Sequence, residues 1–176
     1  MRALTAVSIA ASRSALGMTT NVSALAFNLT LIVAGFLVTT LARYATRGVP
    51  TEDPKGVGRV RTSLIAVGVL LGPVGVFPVD RFFAIHTGVA SGMVVAFGVL
   101  VIGLPRWITG MPRAFVVVGW LFLAITLLLA VLFAVGYYTL TAVELVAGIL
   151  VFTWIVLFIR NAAAIEQDAR PDEPRG

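Results

Sequence analysis

The segment Gly72-Pro73-Val74-Gly75-Val76-Phe77-Pro78-Val79-Asp80-Arg81-Phe82-Phe83-Ala84-Ile85-His86 joins two apolar runs, 62–79 and 82–104. It holds two prolines, two glycines, an acid–base pair and the single histidine of the chain. Each flanking run approaches the ~20 residues that a helix needs to cross about 30 Å of hydrocarbon. A proline- and glycine-rich joint between two such runs reads as the turn of a membrane-spanning helical hairpin.

On either side of this hairpin the pattern repeats, with apolar runs at 22–42, 114–136 and 139–159. The whole chain of 176 residues is 59% hydrophobic and 12% charged, with a mean hydropathy of +1.02. Soluble domains carry about 25% charged residues. The expected fold is therefore all-α: a polytopic transmembrane helix bundle of five spans within residues 21–160. An N-terminal outer or interfacial segment, 1–20, precedes it, and a disordered cytoplasmic tail, 161–176, follows. The apolar stretch 3–11 would cover only about 14 Å as a helix, too little to cross a bilayer. It reads as an interfacial or re-entrant helix, with a cleaved signal or the remnant of a sixth span as alternatives.

The net charge is +5 and the isoelectric point about 10.7. In a soluble protein such a balance points to nucleic acid. Here the cations lie between the spans, where they set orientation. Arg43, Arg47, Lys55, Arg59 and Arg61 fall in the connection 43–61, Arg106 and Arg113 in 105–113, and Arg160, Arg170 and Arg175 in the tail. Arg81 faces the other way, with Arg2 and Arg13 near the start. The positive-inside rule then puts the N-terminus outside and the C-terminus in the cytoplasm of a cell-membrane protein. The expected partners are membrane lipids, a second copy or another membrane protein, and not nucleic acid.

Local signals refine the bundle. Pro50, Pro54, Gly56 and Gly58 argue against helix in 43–61. Pro73 lacks an N–H donor and crowds the preceding turn, so the second span is expected to kink or unwind there. Pro73, Gly75 and Pro78 thus become a candidate cavity wall, since freed backbone groups at membrane depth need neighbours or water. Ala84, Gly88, Gly92 and Ala96 recur every four residues and predict a close-packing stripe on the third span. His86 lies about 160° from Gly88, off that stripe.

Ionisable groups inside a membrane are costly and are commonly paired or turned toward a cavity. His86 lies about one turn inside the third span, and Glu144 lies at similar depth in the fifth. Both are expected to face the bundle interior near Asp80 or Arg81. Several chemistries lack their residues. There is no cysteine, and one histidine with two nearby acids makes a zinc site, which needs three or four ligands, marginal. The only lysine, Lys55, is in a loop, which removes a retinal Schiff base. Two haem-ligating histidines are absent. Gly88-Val89-Ala90-Ser91-Gly92 has the look of a membrane serine-protease loop, but no histidine outside its own helix can act as base. No cofactor or metal is expected. The leading expectation is a non-enzymatic protein with a small polar site that binds a lipid or small amphipathic molecule, or serves transport. The alternatives are a packing subunit of a larger membrane complex, an intramembrane enzyme using Glu144 and His86, and a purely static polar clamp between helices.

Ser14-Ala15-Leu16-Gly17, Phe27-Asn28, Gly35, Gly75-Val76-Phe77-Pro78 and His86 together resemble the bacterial integral-membrane family called domain of unknown function 998 (DUF998). That family is distantly similar to the eukaryotic DRAM and Sfk-type membrane proteins. The resemblance covers most of residues 12–160. It implies six spans, with the Ser-x-Leu-Gly element outside after the first. Here 1–13 would be a remnant of that first helix, or the helix is missing. The resemblance also implies that Ser14, Leu16 and Gly17 share one side with Pro78 and His86. It implies no reaction or substrate.

Overall fold

A computed structural model describes residues 22–49 and 53–169. The segment 1–20, with its Ser14-Leu16-Gly17 element, and the last residues of the tail lie outside the described residues. Those described fold into five helices with no strand: α1 (Val22–Ala45), α2 (Pro54–Val76), α3 (Val79–Trp107), α4 (Arg113–Ala134) and α5 (Leu140–Asp168). All five are long and apolar enough to cross a membrane. The shortest, 22 residues, measures about 33 Å. Apolar side chains such as Phe36, Val95, Val117 and Val156 point away from the bundle, which suits a lipid-facing surface. The protein is an integral membrane protein in architecture.

Three boundaries differ from the sequence expectation. Helix α2 begins at Pro54, not near 62, so Gly56, Gly58, Arg59 and Arg61 are helical. Proline in a first turn has no N–H to lose, and the Asp53 side chain caps the helix by accepting from the Lys55 N–H at 2.9 Å. Gly56 is needed because a β-carbon there would collide with the Trp107 carbonyl. Pro73 does not unwind α2, which continues to Val76. The irregular backbone falls later, at Phe82 (φ −128°, ψ 45°), one turn into α3. Proline near a helix end removes a single hydrogen bond, which the last turn tolerates. Finally, α5 runs to Asp168, past the expected end at 159. Ala162 is buried there and Glu166 sits against Gly48, so packing holds what sequence polarity alone would release.

The tightest seam is also not the expected one. A β-carbon on Gly88 would meet nothing, and one on Gly92 would make ordinary contact with Leu70. Ala84 and Gly88 are exposed, and Ala96 packs on the core. Close approach occurs instead between α1 and α2. A β-carbon on Gly35 would lie 2.6 Å from the Gly68 carbonyl oxygen, and one on Gly68 2.7 Å from the Gly35 carbonyl oxygen. Gly75 meets the Asn28 carbonyl in the same way. Gly35, Gly68 and Gly75 let the two backbones touch, the usual role of small residues in membrane bundles.

Helices α1, α2 and α3 pack extensively in sequence order, α4 joins α3 and α5, and α5 brushes α1. The backbones of α3 and α5 stay apart. At the basic end of the bundle, aromatic rings fill that gap. Trp154 stacks on Phe115 (5.0 Å) and Phe158 (5.8 Å) and meets Phe97 edge-on (5.4 Å). Gly119 makes room, since a β-carbon there would lie 2.7 Å from Trp154 Nε1. At the opposite end the facing residues are small, among them Ala90, Ser91, Ala147 and Gly148, and the gap stays open.

Candidate functional site

The open gap is a cavity of about 520 Å³ lined by all five helices. Its walls are almost wholly apolar, from Phe27 and Leu31 on α1 to Phe152 on α5. His86 and Glu144 stand at its wall, on α3 and α5. His86 is seven residues past the start of α3 and Glu144 four past the start of α5, depths of about 10 Å and 6 Å. Both helices start at the same end of the bundle, so the two side chains meet.

His86 is buried and both its ring nitrogens are engaged. Nδ1 lies 2.8 Å from the Phe77 carbonyl oxygen, and Nε2 lies 2.7 Å from Glu144 Oε1. A carbonyl can only accept, so Nδ1 carries a hydrogen and donates it. The Phe77 carbonyl lies at the end of α2, beyond the reach of regular helical bonding. His86 thus closes the α2–α3 turn while reaching across the gap to α5. Between Nε2 and Oε1 one proton is shared: the pair is either imidazolium with carboxylate or imidazole with carboxylic acid. Its net charge is zero in both forms.

Glu144 is 21% exposed at the side chain, against 4% for His86, so the carboxylate is the member that presents itself to the cavity. Beside them, the buried Thr87 Oγ1 has no hydrogen-bond partner among the described residues, and Thr87 lines the cavity. Thr30 and Thr126 also line it, but their hydroxyls donate to Ala26 and Phe122 in their own helices.

The expected four-residue cluster is therefore divided. His86 and Glu144 come together, whereas Asp80 and Arg81 are exposed at the start of α3. His86 takes Phe77 and Glu144 as partners rather than Asp80 or Arg81, because the helical rotation between 81 and 86 turns the histidine inward. Pro73, Gly75 and Pro78 do not line the cavity; Leu71 and Val74 of the same helix do. Gly75 is turned to α1 instead. Thr87 and the Phe77 carbonyl were not anticipated. Adjacency to His86 was a usable signal for Thr87, but a backbone acceptor leaves no mark in sequence.

No group of three or more metal-binding side chains occurs among the described residues. The arrangement offers a hydrophobic recess with a proton-sharing acid–base pair and, among the described residues, a buried hydroxyl that lacks a partner. Such a site can bury an apolar body and fix a polar group. Compared with protein-family models, curated proteins and solved structures, the chain matches none of them.

Proposed function

We propose that this is a non-enzymatic integral membrane protein that binds a lipid or small amphipathic molecule in the cavity between α3 and α5. The apolar body occupies the recess, and the polar group meets Glu144 and Thr87. The observation that carries this is the coincidence of a 520 Å³ apolar cavity with the His86–Glu144 pair in its wall. The cations at the ends of α1, α3 and α5 favour a cytoplasmic position for that end, which turns the site to the outer half of the membrane. The likeness to domain of unknown function 998 adds architecture to this reading and no chemistry.

A photoreactive fatty alcohol carrying a diazirine, supplied to the protein in lipid nanodiscs, tests it. Peptide mass spectrometry should find crosslinks at Thr87, Ala90 and Gly148, and Gly148→Leu should remove them by filling the recess. Crosslinks confined to outward positions such as Val95 and Leu121 would overturn the proposal.

A second reading, as a packing subunit, is favoured by the open space around Gly88 on the exposed face of α3. It predicts that Gly88→Leu reduces the mass of the complex isolated in mild detergent.

A further inference from the structure

We propose that the cavity takes a lipophilic cation in exchange for the proton held between His86 and Glu144. This rests on the cavity-binding reading above and specifies the charge of the ligand.

The geometry supplies the reasons. The Phe77 carbonyl holds the Nδ1 hydrogen of His86, so the only proton the pair can release without breaking that turn is the one between Nε2 and Oε1. Its release leaves a carboxylate against an apolar wall. An unpaired charge so placed costs several kcal/mol in desolvation. No side chain in the cavity compensates it. Every lining residue other than His86 and Glu144, on all five helices, is uncharged and does not titrate near neutrality. The ionisable groups nearest along the chain, Asp80, Arg81, Tyr137 and Tyr138, are exposed at the helix ends. An anionic ligand would meet the carboxylate as a like charge. A cation replaces the lost proton and returns the site to neutrality.

The balance is one for one. Before exchange, His86 keeps its Nδ1 hydrogen, the pair holds one further proton, and the site is neutral. Afterwards His86 is neutral imidazole, Glu144 is carboxylate, the ligand carries one positive charge, and one proton has passed to water. No covalent bond forms or breaks apart from that proton transfer. Glu144, the more exposed partner, turns from Nε2 toward the ligand. The Thr87 hydroxyl oxygen, which lacks a partner, accepts from a ligand N–H where there is one.

The test uses tetraphenylphosphonium and the full chain in nanodiscs, with empty nanodiscs subtracted. Titration calorimetry in two buffers of different ionisation heat counts protons. We expect about one proton released per cation, and binding weakened by roughly tenfold for each pH unit below the midpoint of the pair's titration. The cation should also displace the diazirine fatty alcohol from the cavity. Glu144→Gln should lose cation binding. The proton count is read on the unmodified chain, so it decides even if that variant does not fold. Alcohol crosslinks in the cavity with no cation binding, or with binding and no proton release, overturn the exchange and leave the cavity-binding reading standing. Absence of both crosslinks and cation binding overturns the two together.

Discussion

His86 ties two places that the backbone does not bring together: the carbonyl at the end of α2 and the carboxylate on α5. Loss of Glu144 strands Nε2 in an apolar wall, and an unsatisfied buried polar group costs about 1–3 kcal/mol. Glu144→Leu should therefore lower the thermal midpoint in detergent. The double change His86→Phe/Glu144→Leu should recover much of the loss, because replacing both members by apolar groups removes the stranded atom. A double variant less stable than the sum of the singles would refute this. The pairing was legible because both residues sit alone in apolar runs at matching depth from the same end. Its exclusion of Arg81 was not, since rotation about α3 depends on where the helix starts and on the break at Phe82.

Glycines show the same limit at the level of the helix. The four-residue spacing in α3 and the Gly68–Gly72 spacing in α2 are equally good packing signals in sequence. Only Gly68 among them is used tightly, because α1 crosses there; a β-carbon on Gly72, as on Gly88, would meet nothing. Gly35→Ala or Gly68→Ala should cost about 1–3 kcal/mol through overpacking against backbone. Gly88→Ala should change stability by less than about 0.5 kcal/mol. Thermal unfolding of the three variants side by side separates the seams, and equal losses would contradict the assignment. The start of α2 gives a third case. Asp53→Ala should cost about 1 kcal/mol by removing the cap, with little effect on the site. Prolines and glycines mark where a helix can end, but capping and packing decide whether it does.

For the molecule as a whole, the five spans were legible from hydropathy alone, since lipid demands long apolar helices that satisfy their own backbones. The cavity was not, because a void is set by the spacing of helices and no residue type announces it. Orientation can be measured cleanly, as the chain has no native cysteine. Thr109→Cys lies in the connection between α3 and α4, and Tyr137→Cys in the turn between α4 and α5, both at exposed positions. In intact cells an impermeant maleimide should label the second and reach the first only after permeabilisation; the reverse pattern would invert the proposed orientation.

The aromatic rings around Trp154 fill one end of the gap between α3 and α5, while the other end is hollow. The two halves should therefore differ in compressibility. Hydrostatic pressure favours states that eliminate internal void volume, so the hollow half should yield first and the ring-filled half should persist to higher pressure. A bound molecule that fills the hollow, or Gly148→Leu in its place, should make the whole bundle compress more nearly as one body.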